Sequence, residues 1–291
     1  MGHRFHVVDV FAERRYAGNP LAVVEETGDL GAAERGAIAR EMAYSETTFV
    51  DSLEPRDGGY DVHVHTPESE VPFAGHPTLG TAAVLREVAG AGEEVTLNLP
   101  VGQVPVDVRR TDGAETLWMT QPDPEFGPER DRAATAAMLS LDESALDPAY
   151  PVQVVSTGLP TVVVPLRDRA ALTAASVDRP LYDECVAGTD AENVLPFCPD
   201  PRDDANDFAV RMFAPGHGVP EDPATGSSNG CLAAYLCEHD YLDGPVTVRV
   251  EQGYAVDRPS LLFLAADRGA DGVVTVEVGG RVVSVARGDL L

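Results

Sequence analysis

Lysine is absent from this 291-residue chain; all 21 basic side chains are arginine. Without an ε-amine there is no Schiff base, no pyridoxal-phosphate anchor and no phosphate-loop lysine. Cations of any kind are scarce against 48 acidic residues, and the net charge is −27 at pH 7. So acidic a surface repels phosphate backbones and anionic headgroups, which excludes sequence-independent nucleic-acid binding and argues against a membrane partner. The acids are spread along the chain, and a hydrophobic fraction of 44% is ordinary for a globular protein. The charge therefore reads as a solvated coat. At molar salt the screening length falls to about 3 Å, and an all-arginine, strongly acidic chain points to a salt-accumulating halophile.

Cysteine is sparse. Cys185, Cys198, Cys231 and Cys237 show neither C-x-x-C nor metal-finger spacing and read as buried thiols in a reducing compartment. No apolar run approaches the ~18 residues of a membrane span. The first residues, Met-Gly-His-Arg-Phe-His, show no cationic segment leading into an apolar one, so the expected location is cytoplasmic. At about 100–200 residues per domain, two domains are expected.

Helical patterns are also few, and most of the chain reads as short strands. Alternating or β-branched runs occupy Phe5–Phe11, Leu21–Val24, Thr47–Val50, Tyr60–His65, Val95–Leu99 and Val152–Val155. Others follow at Thr161–Val164, Phe208–Phe213, Val246–Val250, Leu261–Leu264, Val273–Val278 and Val282–Val285. Helices are expected near Ala32–Ala43, Arg132–Leu141 and Arg179–Val186. Two more segments, Gly80–Leu85 and Asn229–Cys237, are apolar almost all round. A helix without a polar face must be enclosed, so each should lie inside a wrapping of strands.

These two segments are related. Gly80 and Gly226 lie 146 residues apart, and that offset sets His76-Pro77-Thr78-Leu79-Gly80 on Asp222-Pro223-Ala224-Thr225-Gly226. Upstream, Val62–Pro67 matches Ala209–Pro215, and Gly18–Val24 matches Gly158–Val164, at slightly different offsets. Glu46 and Glu192 each stand 34 residues before the corresponding glycine. Four matches in one order imply a duplication: two pseudo-symmetric halves, each a set of strands around one buried helix. The turn-rich Gln121–Gly127 segment is the expected linker. The halves are then 1–124, completed by a last strand at 280–291, and 125–279.

In each half a loop feeds the buried helix. A helix start carries unpaired N–H donors and partial positive charge, so it receives carboxylates well. If the halves pack by approximate twofold symmetry, His76 and Asp222 point into one cleft from opposite sides. Such a cleft suits a small anionic metabolite in which a proton is moved. The alternative is that both loops are capping motifs, with Asp222 a plain N-cap. Glu46, at the opening of a strand, reads as a solvated residue or, if buried, as a general base.

The blocks GNPLAVV (18–24), SETTFV (45–50), TPESEVPFAGHPTLGTA (66–82), RMFAPGHGVPEDPATGSSNG (211–230) and EQGYAVDRPS (251–260) resemble the PhzF-like phenazine-biosynthesis family, in family order. The resemblance implies an α+β, diaminopimelate epimerase-like fold: two pseudo-symmetric domains, each a barrel-like sheet round a central helix, often as a homodimer. It implies a cofactor-independent isomerase that shifts a proton within a small carboxylated substrate, as with trans-2,3-dihydro-3-hydroxyanthranilate. Carried over by motif, Glu46 would move the proton, with His76 and Asp222 assisting. Gly75, Gly226 and Ser227 would hold the carboxylate, with Asn19 and Ser45 also at the substrate. The related epimerases use a cysteine in each loop; Ala74 and Pro223 stand there instead, which excludes a two-thiol mechanism. Asp257 departs from the family, which usually has glycine at that position.

Three rivals compete. Gly226-Ser227-Ser228-Asn229-Gly230 fits G-x-S-x-G with Ser228 as a hydrolase nucleophile, but no strand runs directly into it. His63-x-His65 has a metal-ligand spacing, but a third ligand must be assumed, and solvent-facing strand histidines are the preferred explanation. A non-catalytic binder of a carboxylated metabolite would use the same cleft.

Overall fold

β-branched alternation does become strand, and the two enclosed segments become helices, in the computed structural model, which describes residues 2–111 and 113–291. The chain divides into two compact units, Met1–Met119 with Gly279–Leu291, and Thr120–Val278.

The first unit opens with β1 (Arg4–Val10), β2 (Asn19–Val24), α1 (Ala32–Met42), β3 (Thr47–Val50), β4 (Tyr60–His65) and β5 (Glu70–Val71). The enclosed helix α2 (Gly75–Val88) follows, then β6 (Glu94–Leu99), β7 (Gly102–Thr111) and β8 (Ala114–Thr120). In the second unit come β9 (Glu125–Glu129), α3 (Arg132–Met138), β10 (Gln153–Ser156), β11 (Pro160–Pro165), α4 (Arg169–Ala174), α5 (Arg179–Val186), β12 (Asn193–Cys198) and β13 (Phe208–Val210). Its enclosed helix α6 (Gly226–Glu238) leads to β14 (Val246–Gln252), β15 (Ser260–Arg268) and β16 (Val274–Gly280). The last strand, β17 (Val282–Asp289), returns to the first unit and pairs antiparallel with β1.

Pairing repeats between the units. β1–β2 is antiparallel, β2–β3 parallel, β3–β4 antiparallel, β4–β6 parallel and β6–β7 antiparallel. The series β10–β11, β11–β12, β12–β13, β13–β14 and β14–β15 has the same five senses in the same order. β9 lies on β10 as β17 lies on β1. Thr47 and Asn193 open equivalent strands, so Glu46 and Glu192, one residue earlier, are structural equivalents.

Each core is a helix held close by strands. Every residue of α2 from His76 to Ala82 is buried, as is every residue of α6 from Gly226 to Leu236. The approach of α2 is close enough to demand glycine: a Cβ on Gly80 would stand 2.5 Å from Leu21 Cδ2 and 2.9 Å from Val10 Cγ2. Burial of Leu232, Tyr235 and Leu236 in α6, each fully enclosed, contributes about 1.5–3 kcal/mol per side chain.

Sequence reasoning passed over several elements. β12 contains Pro196, which as a strand-interior proline argues against a strand; here the strand stays wholly buried against β11. β7 alternates weakly because only one of its ten residues is buried. The expected linker is a turn only over 121–124, because β9 begins at Glu125. The expected helix over Arg132–Leu141 stops at Met138, as Ser140 adopts a left-handed φ of 57°. The thiols of Cys198 and Cys231 are buried, those of Cys185 and Cys237 half-buried, and all four are free. No helix among the described residues is long and apolar enough to cross a membrane.

Candidate active site

Strand alternation aims Glu46. The helix α1 is capped by Ala43 in a left-handed conformation (φ 56°), Ser45 lies exposed in the turn, and β3 begins at Thr47. Thr48 faces α2, its hydroxyl 2.8 Å from that of Thr81. Glu46, two residues earlier, lies on the same face and meets the first turn of α2, where its Oε2 is 3.6 Å from His76 Nε2. Both atoms are buried, and neither has a hydrogen-bond partner.

Burial pushes the His76 pKa down, outweighing the Glu46 charge and the Pro20 backbone that push it up. The ring is therefore neutral near pH 7, and its unpartnered Nε2 faces the Glu46 carboxyl group across a gap that one proton can occupy. The N-cap of α2, Ala74, has no capping side chain, so the N–H groups from Gly75 onward begin the helix without one. Asn19 is buried at the start of β2, next to Pro20.

The second unit holds its loop differently. Asp222 N–H donates to Met212 O (3.0 Å), and the Thr225 hydroxyl donates to Asp222 Oδ2. Gln252, from the end of β14, clasps the loop: its Nε2 donates to Asp222 O (2.9 Å), while its Oε1 accepts from Thr225 N (3.2 Å) and Asn229 Nδ2 (2.8 Å). Glu221 beside it takes a two-pronged ion pair from Arg211, at 2.6 and 3.0 Å. The N-cap of α6 is Thr225, with Gly226 and Ser227 in the first turn, so Asp222 is no plain N-cap. Gly253 has φ +78°, and a Cβ there would lie 2.5 Å from Pro223 O.

Gln252, Gly253 and Asn229 are thus residues whose work sequence reasoning missed, although the EQGYAVDRPS block contains two of them. Asp257 is also accounted for. It ends a short 3-10 turn at φ 56°, ψ 26°, a left-handed conformation that glycine adopts freely and aspartate tolerates.

Glu46 and His76 come together within the first unit; Asp222, Gly226 and Ser227 belong to the second. The hydrolase reading loses its footing. Ser228 is wholly buried inside α6, its hydroxyl 3.0 Å from that of Thr161, while His239 bonds to Gln153 Oε1 at 2.8 Å. His65 is not solvent-facing: only 3% exposed, it packs edge-on against Phe49. The reason is that α1 covers this face of β3 and β4. His63 sits between two carboxylates, with Nδ1 2.7 Å from Glu70 and Nε2 3.4 Å from Asp51.

Known proteins bear on this arrangement. A chain from Pseudomonas aeruginosa named trans-2,3-dihydro-3-hydroxyanthranilate isomerase is 35% identical over 295 residues, 98% of each chain. A solved structure described as a predicted epimerase, also from P. aeruginosa, superposes with a TM-score of 0.81 at 33% identity, covering 99% of both chains. A PhzF-family phenazine biosynthesis protein from Bacillus anthracis superposes with a TM-score of 0.91 at 23% identity, over 100% of this chain and 99% of its own, which shows the α+β, epimerase-like fold. The family model described as phenazine biosynthesis-like protein matches residues 8–288. With the motifs, the repeated sheet and the Glu46–His76 pair, this settles the affiliation: the chain belongs to the phenazine biosynthesis-like (PhzC/PhzF) family and is an isomerase.

Proposed function

We propose that this isomerase works without a cofactor, moving a proton within a small carboxylated substrate of amino-acid or cyclohexadienyl type, with Glu46 as the carrier. The observation that carries the reading is the Glu46–His76 pair: two buried titratable atoms 3.6 Å apart, neither satisfied by the protein. Unpaired buried polar atoms are costly, and folded proteins keep them where they have a use.

Glu46 takes a proton from one substrate carbon, the electron pair is delocalised into the conjugated acid, and the same carboxyl group returns a proton at another carbon. The product is an isomer of the substrate, with nothing gained or lost. His76, neutral with a free Nε2, accepts a hydrogen bond from the protonated Glu46 or from the substrate and so holds the proton in place. We assign the substrate carboxylate to the N–H groups of Gly75, Gly226 and Ser227, with Asp222 on its amino or hydroxyl group and Asn19 and Ser45 beside it; the family motifs support these roles. The same reading includes a cytoplasmic homodimer working at high salt, supported by the resemblance and by the net charge of −27.

Deuterium wash-in tests it. In D2O at molar salt, the protein should place solvent deuterium on a carbon of trans-2,3-dihydro-3-hydroxyanthranilate, read by mass spectrometry. Glu46→Gln should lower exchange at least ~1000-fold while affinity stays within about tenfold, because the isostere keeps the shape but cannot accept the proton. Full turnover by Glu46→Gln would refute the mechanism.

A further inference from the structure

Gln121 follows β8 at the start of the second unit, its N–H bonded to Val276 O at 2.8 Å. Its side chain is 5% exposed, yet neither Oε1 nor Nε2 has a hydrogen-bond partner. A primary amide brings two donors and two acceptor sites, and buried groups of this kind are nearly always satisfied. The fold also makes room for it. Where Gly230 would carry a Cβ, Thr157 Oγ1 stands at 3.0 Å, Gln121 Cγ at 3.1 Å and Gln121 Oε1 at 3.4 Å. Glycine inside a helix is unfavourable relative to alanine. Two local penalties therefore meet at one amide, the pattern that natural sequences retain at functional positions.

The place is chemically suggestive. Thr157 donates to the carbonyl of Ser227 at 3.2 Å, so the amide lies beside the first turns of α6. In that first turn Asn229 Oδ1, wholly buried, is a second unpartnered acceptor. We propose that Gln121 is a substrate-binding residue. Its Nε2 donates to the carboxylate, and its Oε1 accepts from an N–H or O–H on the neighbouring carbon. The site then selects β-amino or β-hydroxy acids, in which donor and acceptor lie along one edge. This rests on the isomerase reading above and adds the substrate feature that is read.

The test compares wild type, Gln121→Met and Glu46→Gln. Methionine keeps the length and removes both polar atoms. Calorimetric affinity for 3-hydroxyanthranilate, an unreactive aromatic β-amino acid, should fall at least tenfold in Gln121→Met, with the melting temperature unchanged or raised because no bond within the protein is lost. Unchanged affinity overturns the proposal, and so does a wild type that binds neither this compound nor a β-hydroxy acid. A melting temperature lowered by more than about 4 °C also overturns it, since the amide would then serve the fold. Full turnover by Glu46→Gln defeats the proton-carrier reading instead and leaves the Gln121 comparison standing.

Discussion

The two units repeat one pairing scheme but treat their polar loops in opposite ways. In the first, Glu46 Oε2 and His76 Nε2 face each other unsatisfied. In the second, the equivalent loop is tied down: Asp222 holds the Thr225 hydroxyl, and Gln252 bonds to Asp222, Thr225 and Asn229 at once. Glu192, the equivalent of Glu46, lies where a Cβ on Gly216 would come within 2.5 Å of its Oε2, and its carbonyl accepts from the Tyr182 hydroxyl at 2.7 Å. Duplication supplied two copies of a loop and a glutamate. One copy leaves its carboxyl and imidazole atoms unpartnered, while the other is tied down by the bonds of Gln252.

The comparison can be broken most directly by treating both glutamates alike. Glu46→Gln should abolish turnover, at least ~1000-fold, whereas Glu192→Gln should keep it within about tenfold, read as kcat in the same assay. Equal losses would mean that the halves share the chemistry. Next in size is the clasp. Gln252→Leu strands the Thr225 N–H and leaves Asn229 Nδ2 with only its bond to the Thr225 carbonyl, costing about 1–3 kcal/mol in unfolding free energy, and should reduce kcat/KM roughly 10- to 100-fold by loosening Asp222. Denaturant titration and steady-state kinetics check the two parts; an unaffected kcat/KM would show that the loop needs no clasp.

The smallest effect is on pH. Burial holds His76 and His65, both in the first unit, below their ordinary value of 6.5. The unfolded chain takes up their protons near pH 6.5, and the folded chain only at lower pH. Stability is therefore full above pH 6.5 and declines as pH falls below it. Melting temperatures at fixed molar salt should drop from pH 7 to pH 5. Replacing His65 and His76 by asparagine should flatten that slope more than replacing His239, a histidine of the second unit that burial also shifts downward.

Much of this was legible in the residues. The shared offset of Gly80 and Gly226 exposed the duplication, and the lack of a polar face marked both enclosed helices. Glu46 could be singled out by its distance to Gly80, but its burial could not be judged until strand alternation set it toward α2. What escaped is what depends on register between distant segments. The clasp joins Gln252 to Asp222 across 30 residues, and a local reading of the EQG block has no means of seeing it. His65 alternates like a solvent-facing residue because the cover comes from α1, about thirty residues upstream. Gln121 sits in a turn-rich stretch whose composition suggests exposure, whereas its side chain is enclosed beside α6.

β17 completes the first unit, yet the whole of the second lies between it and β8. During translation the second unit leaves the ribosome as one continuous piece, while β1, already paired with β2, must wait for its second antiparallel neighbour, β17, until the second unit has been made. The second unit can thus mature before the first closes, and an unfinished nascent chain lacks the last strand of the sheet that surrounds α2.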